Sequence, residues 1–300
     1  MVLTPDIEIW QEAIDEMGVP KEFYKEIRLR RLDGPEDNSY SFAIVYNEGR
    51  TKRPGASTGD IRCHMCRMVN EARENPKKRM HLTSGPKEYV VTPNGFPPSE
   101  GAVLIISNEE REMYSTRNLS NLGEKGEVLG ELLKFGRTNG YRVFHQTEGA
   151  GATIGIHEHF HGTTMYLFQE TIGKVGFDSA EKSKIKGVDG VYVMKNFPFA
   201  HLIFDELDPE KIVNFLSKLE GNLPSPMENG TIPHTISQGE GGILIAPTRI
   251  NVGRSMGSER APGFFFVGNE EDFRTVNYEQ AINFMRERFF PKEVGLEKLL

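Results

Sequence analysis

An α+β fold is what this chain of 300 residues predicts. Short segments of β character, bounded by glycine, proline and polar turns, are interleaved with amphipathic helical segments. After a charged, glycine-containing stretch, Lys174–Gly190, the order of elements partly recurs. That recurrence suggests two related halves, residues 1–172 and residues 173–300.

Residues 6–17 (Asp-Ile-Glu-Ile-Trp-Gln-Glu-Ala-Ile-Asp-Glu-Met) place apolar side chains at helical spacing and predict a helix. Ser41–Tyr46 reads as a strand, and Arg50–Asp60 as a polar loop rich in glycine and proline. Tyr89–Thr92 is a short strand, followed by the turn Pro93–Pro98, and Ala102–Ser107 is a buried one. Glu124–Arg137 predicts an amphipathic helix with Val128, Leu129, Leu132 and Leu133 on its inner side. Arg142–His145 and Gly151–Leu167 supply two more strands. In the second half Gly190–Met194 and Ala200–Phe204 read as strands. Asp208-Pro-Glu-Lys opens a helix, with aspartate as the cap and proline in the first turn. Gly242–Pro247 echoes Ala102–Ser107 in composition, and Tyr278–Phe289 is a closing helix.

Bulk properties exclude several classes. With 37% apolar and 26% charged residues the chain has the composition of a soluble globular protein. No apolar run approaches the length of a membrane span, and the start Met-Val-Leu-Thr-Pro-Asp lacks the blocks of a signal peptide. Two cysteines do not make a disulfide framework, so a reducing, cytoplasmic location is expected. A formal net charge of −7 argues against a broad nucleic-acid surface. Clustered arginines could still create a small phosphate site.

The most informative stretch is His157-Glu-His-Phe-His161, which holds three of the eight histidines at alternate positions. In an extended strand such residues share one face and stand roughly 6.5–7 Å apart. Imidazole can be a nucleophile, a proton donor or a metal ligand near neutral pH, so one row can divide those tasks.

Other motifs are weaker singly. Cys63-His-Met-Cys66 has the gap that lets two thiolates meet one tetrahedral zinc ion; a redox pair and two ordinary cysteines are the rival readings. Arg50-Thr-Lys-Arg-Pro54 offers three cations for two-point phosphate binding, or is a solvated loop. Asn94-Gly-Phe-Pro97 is by itself an ordinary turn. Thr147–Thr153 is glycine-rich directly before the histidines, where backbone amides can approach a phosphate closely.

Taken in series, these segments resemble the galactose-1-phosphate uridylyltransferase family and the related nucleotide phosphorylases of the histidine-triad superfamily. The likeness runs through Arg50–Pro54, Cys63 and Cys66, Asn94–Pro97, Gly151–Thr153 and the histidine row. Asn196–His201 and Ala246–Arg249 resemble second-half segments of the same enzymes. The resemblance implies two histidine-triad-like halves, each an antiparallel sheet with flanking helices, only the first half being catalytic. It implies nucleotidyl transfer from a nucleotide sugar or dinucleotide to a phosphate-bearing acceptor, through a covalent intermediate on His159. By the same carry-over, Arg50, Arg53 and Thr153 would contact phosphate and Asn94 the nucleoside. His157 would join Cys63 and Cys66 at a structural Zn(2+), and the protein would be a homodimer.

Two departures from the family pattern matter. The third position of the row, usually glutamine in the transferases, is His161, which can protonate a leaving group or assist water. A hydrolase using water as acceptor is therefore an alternative, and a non-catalytic zinc-containing nucleotide-binding protein is another. Where the family places its fourth zinc ligand, the chain reads Ser107-Asn-Glu-Glu110, leaving Glu110 as either an oxygen ligand or a surface carboxylate.

Overall fold

The computed structural model of the chain describes residues 6–35, 40–49, 64–75, 77, 89–108, 123–147, 150, 157, 159–195, 197–205, 208–228, 230, 232–250 and 263–300. The first half contains α1 (Ile7–Glu16), β1 (Arg28–Leu32), β2 (Phe42–Tyr46), α2 (His64–Glu74), β3 (Tyr89–Pro93), β4 (Val103–Ser107), α3 (Gly123–Asn139), β5 (Arg142–Gln146), β6 (His159–Thr163) and α4 (Phe168–Ile172). There follow β7 (Lys182–Lys184), β8 (Val191–Met194), β9 (Leu202–Phe204), α5 (Pro209–Asn222), β10 (His234–Gly239), β11 (Gly242–Pro247), β12 (Phe264–Val267), α6 (Glu270–Thr275) and α7 (Tyr278–Arg288).

Nine strands form one sheet in the order β3-β4-β6-β5-β10-β11-β9-β8-β7, every pairing antiparallel. β1, β2 and β12 form a second sheet, in which β2 and β12 run parallel. The α+β class with antiparallel sheets and flanking helices is thus the observed one.

The large sheet contains the same unit twice: β3-β4-α3-β5-β6, then β8-β9-α5-β10-β11, joined through the β5–β10 ladder. This corrects one expectation. Composition pairs Gly242–Pro247 with Ala102–Ser107, whereas the topology makes β11 the counterpart of the histidine strand β6, and β9 that of β4. Strands buried on both faces carry similar aliphatic runs whatever their place in the unit, so composition cannot assign the match.

Residues opposite one another across a ladder project to the same face. His161 pairs with Leu104 on one side and Phe144 on the other, and the row continues through Ser237, Leu244 and Ile203. On the opposite face Phe160 pairs with Ile105, and His145, Ile236, Ile245 and Leu202 form a row across the second unit. That second face is covered by α3 and α5, whose Leu129, Leu132, Leu133, Ile212, Val213 and Leu216 enter the main core. Fully burying each of these side chains stabilises the fold by roughly 1.5–3 kcal/mol before entropy is counted. Asp208 caps α5 by accepting from the Lys211 amide at 3.0 Å, with Pro209 in the first turn as the sequence predicts.

The histidine-bearing face is roofed in two parts. Met65, Met68, Val69 and Ala72 of α2 pack on Val90, Leu104 and Ile106. The small sheet covers the other part: Ala43, Val45 and Phe264 pack against Phe144, while Phe42, Ile44 and Phe265 cover Leu244 and Ala246. Leu244 and Ala246 are the second unit's residues on the face that carries His159 and His161 in the first. Both are fully buried under the small sheet, so the second unit has neither the imidazoles nor the open face for the same chemistry. No helix among the described residues is long and apolar enough to cross a membrane.

Candidate active site

β6 is held between β4 and β5, with His159 opposite Ile106 and His161 opposite Leu104 and Phe144. Gly162 allows this close packing, since a Cβ there would lie 2.6 Å from Val103 Cγ2 and 3.3 Å from the Tyr141 ring. The two histidine rings share one face, with centroids 5.4 Å apart and planes at 61°.

His159 is 6% exposed, and its Nδ1 lies 2.9 Å from the carbonyl oxygen of His157. A carbonyl only accepts, so Nδ1 carries the proton and Nε2 holds the lone pair. The tautomer thus leaves the nucleophilic nitrogen of the ring at Nε2. The same carbonyl dipole would favour positive charge on the ring. His161 is half-buried and stacks on Phe144 with centroids 4.7 Å apart and planes at 6°. The stack fixes the orientation of a group suited to exchange a proton beside His159.

His157 lies just ahead of β6 and is 2% exposed. Its Nε2 stands 3.0 Å from the carbonyl oxygen of Ser107, which makes Nε2 the protonated nitrogen. Its Nδ1, left with the lone pair, stands 3.2 Å from Cys66 Sγ on α2. Donors sharing one tetrahedral zinc ion, with bonds of about 2.0–2.3 Å, are separated by roughly 3.5 Å. The lone pair of His157 and the sulfur of Cys66 therefore face each other at close to the separation of two ligands of one ion. The Ser107 carbonyl holds the orientation of the His157 ring. Among the described residues no cluster of three metal-ligating side chains occurs. Cys63 and Glu110, the other two expected ligands, lie outside the described residues.

Arg50, Arg53 and Thr153 likewise lie outside the described residues. Asn94 stands at the far end of the β3–β4 hairpin, where its amide donates to the Ala102 carbonyl and its Oδ1 accepts from the Phe96 amide at 3.0 Å. Pro93 pairs with Val103 and Val103 with Gly162, so Asn94 lies toward the far end of β6 from His159. At about 3.4 Å per residue that is on the order of 13 Å along the strands. The described residues bring His157, Cys66, His159 and His161 together, and leave Asn94 apart.

The site also uses groups that the motifs do not name. Phe144 orients His161, and the main-chain carbonyls of Ser107 and His157 set the tautomers of His157 and His159. A phenylalanine in a strand reads as core, and carbonyl positions leave no trace in side-chain patterns. His145 is on the opposite face, its ring 4.4 Å from that of Phe160, and takes no part in this constellation.

No family model and no curated relative matches the chain in sequence. Among solved structures the chain is similar to yeast Ap4A phosphorylase Apa2. The complex of that enzyme with AMP aligns at a TM-score of 0.59 and 16% identity, covering 95% of this chain and 98% of the enzyme. The complex with Ap4A aligns at 0.58 and 13% identity, covering 96% and 99%. The enzyme alone aligns at 0.57 and 15% identity, covering 97% and 96%. At such identities the likeness concerns the backbone, and it runs from end to end: the two-halved α+β fold implied by the histidine, cysteine and arginine motifs is the fold of this chain.

Proposed function

We propose that the chain is a nucleotidyltransferase or phosphorylase that acts on a dinucleoside polyphosphate or a nucleoside diphosphate sugar through a covalent nucleotidyl-histidine. The observation that carries this reading is the tautomer of His159: Nδ1–H is committed to the His157 carbonyl, which leaves the lone pair on Nε2 of a ring that shares its face with His161. Nε2 attacks the α-phosphorus, a P–N bond forms, and the bond from phosphorus to the bridging oxygen breaks. The leaving phosphate takes the electron pair, and His161 can supply a proton to it. An acceptor phosphate then attacks the same phosphorus, and the imidazole departs with the P–N electrons. Arg50 and Arg53 would counter the charge on the phosphoryl oxygens and Thr153 would donate to them, while Asn94 would have to reach the nucleoside from the end of its hairpin.

The fold shared with an enzyme seen with Ap4A and with AMP supports a dinucleoside polyphosphate as the first substrate to test. Incubation with α-labelled Ap4A, and in parallel with labelled nucleotide sugars, should give phosphate-dependent breakdown. With inorganic phosphate the adenylyl label appears in ADP, whereas transfer to water yields AMP. His161 favours keeping the water reaction as the second reading, because its ring is oriented by Phe144 next to the nucleophile. AMP formed at the same rate with and without phosphate would establish the hydrolase. No breakdown of any nucleotide sugar or dinucleotide would overturn both readings in favour of a binding protein.

Zinc is proposed as a structural ion, held by His157 Nδ1, Cys66 and Cys63, with Glu110 as a candidate fourth ligand. Bound there, it would cross-link α2 to the start of the histidine strand and set the position of the His157 carbonyl that holds His159. Cys66→Ser should reduce zinc from about one ion per chain to near zero, since structural sites rarely survive loss of a thiolate. Elemental analysis of both proteins decides the matter: a metal-free wild type removes the claim.

A further inference from the structure

We infer that Thr235, a residue of the second unit, positions the Gln146 amide beside His159, where that amide donates to an oxygen of the transferring phosphoryl group. The role rests on nucleotidyl transfer at His159, as proposed above, and gives the second unit a part in it. β5 and β6 pair with Phe144 opposite His161. Carried two residues further along both strands, the same register sets Gln146 opposite His159. The ring of His145, 4.4 Å from that of Phe160, keeps to this register on the other face. Residues opposite one another project to one face, with Cβ atoms about 4.5–5.5 Å apart. Gln146 therefore stands on the face of His159 and His161, next to the ring whose Nε2 holds the lone pair.

On its other side Gln146 pairs with Thr235 of β10, which pairs in turn with Ala246 of β11. Polarity in this row thus runs from His159 through Gln146 to Thr235 and stops at Ala246, under the small sheet. Gln146 Nε2 donates to Thr235 Oγ1 at 3.4 Å. Thr235 is fully buried, and among the described residues the Gln146 amide is the partner of its hydroxyl. A buried hydroxyl without a hydrogen bond is costly, so the contact holds both groups. A side-chain amide has two N–H donors and a carbonyl oxygen. Thr235 takes one donor, which leaves the second donor and Oε1 for a ligand. Gln146 is itself buried, so its side chain is held before the substrate arrives, as a donor to developing phosphoryl charge must be. The amide is neutral at every working pH, whereas proton donation by His161 depends on its charge state.

The test follows the rate at which the full chain takes label from α-labelled Ap4A or nucleotide sugar, together with the Gln146 side-chain amide resonances of the free protein. Gln146→Ala should slow labelling by at least about tenfold, the low end for a lost preorganised donor being larger still. Thr235→Val keeps the shape of the side chain and removes the hydroxyl. It should slow labelling about tenfold and shift the Gln146 amide resonances, with a cooperative thermal transition showing that the variant is folded. Thr235→Ser should restore both the rate and the resonances. Added to Gln146→Ala, Thr235→Val should cost nothing further, because the hydroxyl acts only through the amide. Additive losses in the double variant, wild-type labelling by Thr235→Val, or amide resonances that Thr235→Val leaves unmoved overturn the proposal. A wild type that takes no label overturns the reaction and this role with it, whereas a wild type that labels beside unaffected variants overturns this role alone.

Discussion

His159→Gly is expected to abolish the covalent adduct and to lower substrate breakdown by about a thousandfold or more, because the proposed reaction forms its P–N bond on the Nε2 of this ring. The fold should survive. Glycine inside a strand costs roughly 0.5–1 kcal/mol, and the ladder partners of β6 bond through the main chain, which the change leaves in place. His161→Ala should cost less, about 10²- to 10⁴-fold, the range of a lost general acid, and should leave the adduct detectable. The comparison discriminates between the two rings, which share a face with centroids 5.4 Å apart and cannot be ranked by position alone. Acid-quenched protein after exposure to α-labelled Ap4A or nucleotide sugar carries label that acid releases and base does not. Label retained by the His159→Gly protein would refute nucleophilic catalysis by this residue. Loss of label from His161→Ala alone would reassign the nucleophile.

Elements whose burial and caps agree were legible in the residues. α3 announces itself by apolar spacing and α5 by its aspartate cap and first-turn proline, and β3, β4 and β11 by aliphatic runs. Elements that satisfy charge or polarity by tertiary contact were not. β1, Arg28-Leu-Arg-Arg-Leu32, has three arginines in five residues and drew no strand expectation, yet Arg30 donates to the carbonyls of Phe273 and Val276 and Arg31 to those of Ile172 and Lys174. β10 reads as polar, yet it is central to the sheet. Its Gln238 is buried because Oε1 accepts from the Val143 amide and Nε2 donates to the Leu133 carbonyl. The site divides the same way. Alternation placed His159 and His161 on one face, but the approach of Cys66 to His157 came from the resemblance, since their spacing of 91 residues carries no geometry.

Acid should unfold this protein sharply below about pH 6, through three histidines that lie outside the row His157, His159 and His161. His145, His201 and His234 are buried, and burial holds each in its neutral form. His201 and His234 are lowered to about 4, and His145 is lowered well below its ordinary value by burial, then by its neighbours His234 and His159. Among the described residues, neither ring nitrogen of His145 nor Nε2 of His234 has a hydrogen-bond partner, so no acceptor there receives a new N–H. An unfolded histidine titrates near about 6.5. Above that pH the three contribute no proton linkage and the fold is fully stable. As pH falls from about 6.5 toward about 4, the unfolded chain binds protons that the folded chain refuses. Each site then removes up to about 1.4 kcal/mol per pH unit, so three remove up to about 4 kcal/mol per unit. Against a typical stability of about 5–15 kcal/mol, that is enough to bring the acid midpoint to roughly pH 5, before most carboxylates titrate. His145→Leu isolates the effect. Leucine suits the row of Phe160 and Ile236, and it removes two unsatisfied nitrogens along with the proton site. Urea unfolding between pH 7 and pH 5 should show a slope shallower by up to about 1.4 kcal/mol per pH unit in the variant, the limit being approached toward pH 5. A variant slope equal to that of the wild type would mean that His145 is protonated alike in both states, and the apolar packing around it could not then be what holds it neutral.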